Sequence, residues 1–468
     1  MRSKRKPKRK QESYVQTQVS GGLPAIEQHA AGIDIGSQEH WVCAPLPDGS
    51  GREIANFGGK TPELIRMVDW LNQHQVKSVA LESTGVYWIA PFEMLEAAKF
   101  EVRLVDTRKL ASVPGRDQKS DPNDCQWIQR LHSCGLLAGA FRPAEEVCKL
   151  RTLIRNKLTL VEEASDWLRR MQKSLDQMNV RVHRAVSDLN GETGMAIVRA
   201  ILKGEKDPQK LAKLRDRRCH KSEQEIAEEL TGNWREDHIF SLRIAVKMYD
   251  EIQERIQECE QEILKYLEKM AKPDRKGQPV PPVKNPEKGK TMRKRGQEEM
   301  REALYRMSGV DLTDIDGIGV ETIQVVLTEY GPDLSRFPTE KQFVKHATLA
   351  PHVPKSGGKP LKKKRKPGTA SSRVAAALRM AASAVGKTET ALGAYYRQIS
   401  RRKDGKVAIF ATARKLATII YRYLRWGKPY VDIGAEEYEK QYQKRRIASF
   451  TAKAQALGYQ LIPISVQD

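Results

Sequence analysis

Two carboxylates three residues apart mark the most chemically suggestive stretch of the chain, Lys119-Ser120-Asp121-Pro122-Asn123-Asp124. The spacing predicts a helix start with Asp121 as N-cap, Pro122 at the first helical position and Asp124 at the third. Residues at i and i+3 share a helix face, so both acids can point one way. The helix macrodipole favours acids at any N-terminus and accounts for either of them alone. Two more acids, Asp34 and Glu82, end apolar, strand-like runs upstream. Acids are depleted in strands and costly to bury unpaired, and one such residue reads equally well as an ion-pair partner. Four carboxylates on a sheet and an adjacent helix can hold two hard cations through oxygen ligands. Without cations, their repulsion must raise some of their pKa values.

A second stretch, Pro354-Lys355-Ser356-Gly357-Gly358-Lys359, runs into Lys362-Lys363-Lys364-Arg365-Lys366. Glycines beside Ser356 let a backbone approach a substrate closely. The cations Lys355, Lys359, Lys362, Lys363, Lys364, Arg365 and Lys366 can hold a phosphodiester and offset its developing charge. No His or Asp lies nearby to complete a serine triad, so the residues alone read as a flexible basic loop with an incidental serine. Between two expected helices, Gly317-Ile318-Gly319 resembles a helix-hairpin-helix turn. There, backbone N–H groups of Gly317 and Gly319 can meet a phosphate, and a tight turn between packed helices is the plainer alternative.

The elements that must position these groups follow from pattern. Strands are expected at 31–36, 41–44, 54–57, 78–82 and 102–105, and helices from Thr61, near Val86–Lys99 and from Asp121. Three strands, then alternating helix and strand, is the order of a ribonuclease H-like α/β domain. From Pro143, Val147, Leu150, Ile154, Val161, Ala164, Leu168, Met171, Leu175 and Met178 repeat at heptad spacing, with Lys157 breaking the seam once. A second seam runs from Ala245 to Met270. Such repeats predict coiled-coil packing, within one chain, across a dimer or both. Residues 187–236 show no placeable pattern. Lys272–Arg295 holds five prolines and reads as a linker. The expected organisation is a disordered basic arm at 1–29, an α/β catalytic domain at 30–142 and a helical coiled-coil domain at 143–271. A linker at 272–297, a helical C-terminal domain at 298–432 and a tail at 433–468 complete it.

The chain has 468 residues and a net charge of +23, which favours a polyanionic partner, nucleic acid before a membrane surface. No apolar run is long enough to span a bilayer, and the basic N-terminus lacks a signal-peptide core. Six cysteines without a CxxC pair read as reduced thiols in a cytoplasmic protein.

Gly-Ile-Asp-Ile-Gly-Ser at 32–37, Leu-Glu-Ser-Thr-Gly at 81–85 and Lys-Ser-Asp-Pro-Asn-Asp at 119–124 resemble the DEDD transposases. These are the RuvC-like, bridge-RNA-guided serine recombinases of the "IS one-ten" group of bacterial insertion sequences. The resemblance implies that Asp34, Glu82, Asp121 and Asp124 are a Mg²⁺-binding catalytic tetrad, with Mn²⁺ able to substitute. Ser120 and Cys125 depart mildly from the family's third motif. The resemblance also implies a nucleophilic serine at Ser356 in a C-terminal transposase domain. The Gly-Asn that usually follows is replaced by Gly368–Arg373, which makes Ser371 and Ser372 rival nucleophiles or N-caps of the next helix. Donor and target DNA, a bridge RNA, a dimer assembling to a tetramer and a nucleoid-associated location are further implications. A Holliday-junction nuclease using water and a non-catalytic nucleic-acid scaffold are the competing functions.

Overall fold

The computed structural model describes residues 24–83, 85–105, 120–137, 139–275, 279–350 and 372–462, together with the backbone of 13–17, 355–356 and 359–360. The chain forms two compact units, residues 1–142 and 143–468.

In the first unit, the strands are β1 (Ser13–Thr17), β2 (Ala30–Ile35), β3 (Glu39–Pro45), β4 (Gly51–Gly58), β5 (Ser78–Glu82) and β6 (Glu101–Val105). They form one mixed sheet in the order β1-β4-β3-β2-β5-β6. Strands β2, β3 and β4 make an antiparallel meander, and β5 and β6 add in parallel beside β2. Within the arm expected at 1–29, Ser13–Thr17 forms a strand. Ser13–Thr17, rich in β-prone Tyr, Val and Thr, pairs antiparallel with β4 and extends the sheet.

Alternation along the strands sorts side chains onto two faces. Ile33, Ile35, Val42, Phe57 and Leu81 pack beneath α1 (Thr61–Gln73) and α2 (Ile89–Ala97) through Leu64, Met67, Leu71 and Leu95. The opposite face, with Gly32, Cys43, Ile54 and Ala80, receives α3 (Asp121–Ser133) through Cys125, Ile128 and Leu131. This mixed α/β sandwich is consistent with a ribonuclease H-like domain.

In the second unit, the two heptad-patterned segments form α4 (Glu145–Gln177) and α9 (Glu236–Met270). They pair antiparallel within the chain. Lys157 meets Glu260 at 2.6 Å, and Ala164 clusters with Ile252 and Ile256, with Trp167 and Tyr249 packed against that cluster. Lys157, the one break in the seam, thus has an anion opposite it.

The unpatterned residues between them form the short helices α5 (Val182–Ala185), α6 (Glu192–Leu202), α7 (Pro208–Ala212) and α8 (Glu223–Leu230). Their apolar residues close a core with Met171, Leu175, Leu242 and Val246 at the end of the helix pair. Runs this short carry too few turns to display a period.

The proline-rich segment expected as a linker is ordered over much of its length. Asn285 caps α10 (Pro286–Lys294), Met292 is buried, and the Lys288 ammonium donates to the carbonyls of Thr313 and Ile315. Burial pushes Lys288 down to about 8, against the pull of Asp316, Asp311 and Asp314.

The helices that follow are α11 (Glu298–Ser308), α12 (Val320–Tyr330), α13 (Glu340–His346), α14 (Arg373–Val385), α15 (Ala391–Arg402) and α16 (Gly405–Trp426). Leu327, Phe343, Leu378, Leu416 and Tyr421 are buried among them, and the Tyr421 hydroxyl donates to the Phe337 carbonyl at 2.6 Å. The Arg155 guanidinium from α4 forks onto Glu329 of α12, rooting the long helix pair in this bundle. Residues 433–468, expected as a tail, contain a 22-residue helix, α17 (Ala435–Ala456), with no buried residue. Among the described residues no helix is long and apolar enough to cross a membrane.

Candidate active site

Asp34 and Glu82 are neighbours because β2 and β5 run parallel with Ile33 opposite Leu81. The next residue on each strand is therefore an acid. Gly32 and Asp34, two apart, face the same side of the sheet, the side covered by α3. Gly32 makes that cover possible. A Cβ there would lie 2.2 Å from the Gln129 nitrogen and 2.6 Å from the Cys125 carbonyl oxygen, so only hydrogen fits between strand and helix. The Gln129 side chain then donates to the Ala30 carbonyl at 3.0 Å, and the buried Cys125 packs with Cys43 and Ile54. Burial pushes the Cys43 thiol up to about 12 and raises Cys125 as well, so both act as inert core groups.

This docking fixes the start of α3 beside Asp34. The helix begins one residue earlier than its sequence suggests. Ser120 is the N-cap, with extended backbone and no side-chain cap bond, and Asp121 and Pro122 are the first two helical positions. Asp121 therefore does not cap, and its carboxylate is exposed, whereas Asp124 is 4% exposed.

All four acids meet electrostatically at Asp34, whose carboxyl is pushed up to about 7. Burial is the largest cause, followed by the charge of Glu82, a hydrogen bond with the Glu82 carboxyl, and the charges of Asp124 and Asp121. Among the described residues, no three acidic, His or Cys groups form a ready-made metal cage. The four carboxylates thus stand within electrostatic reach rather than in ligand contact. An all-oxygen donor set with an excess of negative charge is nonetheless the chemistry that suits a hard dication, and the residues present fit one.

The serine stretch is described only in its backbone. Lys355–Ser356 (β7) pairs antiparallel with Lys359–Pro360 (β8), with Ser356 opposite Lys359. Gly357, Gly358, Lys362, Lys363, Lys364, Arg365, Lys366 and the rival Ser371 lie outside the described residues. Ser372 is the N-cap of α14. Its hydroxyl accepts from the Ala375 N–H at 3.1 Å and donates to the Ala347 carbonyl at 2.9 Å.

Gly317 has φ +76°, and a Cβ on it would lie 2.2 Å from Val385 and 2.9 Å from the Ala381 carbonyl oxygen of α14. Close packing therefore accounts for this glycine. Gly319 is the N-cap of α12, and the nearest atom to an added Cβ is a Glu321 carboxylate oxygen at 3.3 Å. Asp311 and Asp314 precede the turn and are engaged by Arg301 and Lys284.

Sequence reasoning passed over Gly32 and Gln129, which set the distance and register of α3 on the sheet. A glycine inside a strand run was the available signal for the first. Gln129 carried none.

The family model of DEDD transposases of the IS110 type matches residues 31–180, and the Transposase IS116/IS110/IS902 family matches residues 309–397. The first match contains all four acids, and the second contains Ser356. Both descriptions name a transposase, so "serine recombinase" in the resemblance above mislabels the family. No curated protein matches the chain.

Proposed function

The chain belongs to the IS110-type transposases, DNA-cutting and DNA-joining enzymes of insertion sequences, and on that premise we propose that it uses Asp34, Glu82, Asp121 and Asp124 together with Ser356 as nucleophile. The observation that carries the proposal is the convergence of the four carboxylates, from two strands and one helix, at Asp34, whose carboxyl is pushed up to about 7 by burial first and by the charges of the other three second. Such a concentration of negative charge is expensive unless a ligand neutralises it.

The four carboxylates would hold Mg²⁺, with Mn²⁺ able to substitute, and the cation would supply Lewis-acid polarisation of the scissile phosphate. The chain's own residues do the rest. The Ser356 oxygen attacks phosphorus, the Oγ–P bond forms and the P–O3′ bond breaks. The hydroxyl proton ends on the departing 3′ oxygen, leaving a 5′-phosphoserine. Attack by another 3′-hydroxyl reverses these steps and joins the strands. Lys355, Lys359, Lys362, Lys363, Lys364, Arg365 and Lys366 offset phosphate charge around the serine. A guide RNA and assembly of the chain into a dimer and then a tetramer complete the proposal, supported by the net charge of +23 and by the resemblance.

A denaturing gel of protein incubated with labelled substrate DNA tests it. Wild type, Ser371→Ala and Ser372→Ala should give a covalent protein–DNA adduct, and Ser356→Ala and Asp121→Asn should not. An adduct that persists in Ser356→Ala moves the nucleophile. Cleavage without an adduct in any sample replaces the serine with water and favours a RuvC-like Holliday-junction nuclease.

A further inference from the structure

Helix α17 is the longest described element that buries nothing. Among the described residues it meets the bundle through Tyr438 and Tyr442. Tyr438 packs edge-on against Tyr395 and donates to Gln398 at 3.1 Å, and the Arg402 guanidinium donates to the Tyr442 hydroxyl at 3.3 Å. Beyond Tyr442 the helix runs on with Ile447 56% and Phe450 48% exposed. Isolated helices in water are marginal, and an exposed apolar pair on one is normally covered.

Charge indicates what covers it. Between Lys440 and Lys453 the chain carries five cations and no acid, while Glu436, Glu437 and Glu439 gather at the N-terminal end. At about 100° per residue, Gln443, Ile447, Phe450 and Ala454 form one ridge on the side away from Tyr438. Lys440 and Lys444 lie about 50–90° to one side of that ridge, and Arg446 and Lys453 about 70–90° to the other. The Arg446 guanidinium is held over the rings of Tyr442 and Phe450, at 5.8 Å and 5.6 Å. A narrow ridge with a row of cations on each flank matches a groove with a row of phosphates on each wall.

We propose that α17 enters the major groove of duplex DNA, its two basic flanks on the two phosphate strands and its Gln443–Ala454 ridge toward the base edges. The B-form major groove admits an α-helix, and its thymine methyl groups suit Ile447 and Phe450. The major groove of A-form RNA is deep and too narrow for side chains to read, which favours DNA over RNA as the occupant. The stretch from Lys440 to Lys453 is about 20 Å long, the rise of about six base pairs. This assignment rests on the transposase reading, and it adds a contact outside both the acid site and the serine loop.

The test is the salt dependence of binding to a labelled duplex oligonucleotide, with a labelled RNA hairpin in parallel, for the full-length chain. The variants are Lys444→Gln with Arg446→Gln, and Phe450→Ala. Circular dichroism and gel filtration report folding and assembly. The double variant should lose on the order of tenfold to thirtyfold in DNA affinity, with a salt slope lower by about 1.8. Phe450→Ala should weaken DNA binding and leave the slope unchanged. Unchanged DNA affinity in the double variant overturns the assignment. So does loss of RNA binding alone, or a shift to a smaller assembly with DNA affinity intact. If wild type has no affinity for duplex DNA, the proposed strand chemistry falls with it. If wild type binds and the variants bind equally, only the role of α17 falls.

Discussion

Asp34→Asn keeps the shape of the side chain and removes the charge on which the other three acids act. The Asp34 carboxyl is raised from 3.8 to about 7 in the folded chain. A raised acid stabilises the fold fully below its unfolded pKa and loses that contribution as pH climbs through the folded one. The window is therefore pH 4 to about 7. At 1.36 kcal/mol per pH unit the full displacement amounts to about 4 kcal/mol. Asp34 keeps some solvent contact, and screening leaves on the order of 2 kcal/mol. For a unit the size of residues 1–142, that is roughly 6 °C of unfolding midpoint. His40 and His132, lowered by burial, act with the opposite sign in the acid part of the window, so the informative quantity is variant minus wild type. Thermal unfolding in chelator should show Asp34→Asn gaining about 6 °C on wild type between pH 4 and pH 8. Mg²⁺ at a hundredfold excess over its Kd should return about 2.7 kcal/mol to wild type at pH 8, and little to the variant. A variant that runs parallel to wild type across the whole range, or responds equally to Mg²⁺, would refute the reasoning that the four acids share one site.

Other outcomes follow from single contacts. Gly32→Ala puts a Cβ 2.2 Å from the Gln129 nitrogen, so α3 must lift, lowering stability by about 1–3 kcal/mol and reducing both strand cleavage and the Mg²⁺ effect on the melting curve. Leu175→Ala opens the core at the end of the helix pair, where Leu175 is 1% exposed, and should cost about 2–5 kcal/mol in urea titration. Leu168→Glu changes a half-buried position beside that core, and analytical ultracentrifugation should show a smaller assembly with helix content retained; unchanged sedimentation would place the assembly surface elsewhere. Tyr421→Phe removes one buried hydrogen bond to the Phe337 carbonyl and should lower stability by about 1 kcal/mol without altering DNA cleavage.

The identity of the four acids, the strand order around them and the two long helices were legible in the chain, because each rests on local chemistry. An acid ending an apolar run, a period of two, and a heptad seam are all visible within a few residues. The partner of each seam was not. Lys157 reads as a defect until Glu260, a hundred positions away in sequence, is seen opposite it. The same limit applies to residues 187–236, whose short helices acquire order only against Met171 and Leu242, and to the proline-rich stretch, which Lys288 ties to the carbonyls before α12. At the acid site itself, the sequence determined which groups could hold a cation. Tertiary structure decided that they converge, through a glycine that lets a helix backbone approach a strand and a glutamine that sets its register. Convergence depends on distances between segments far apart in the chain, and those distances are set by packing rather than by local preference.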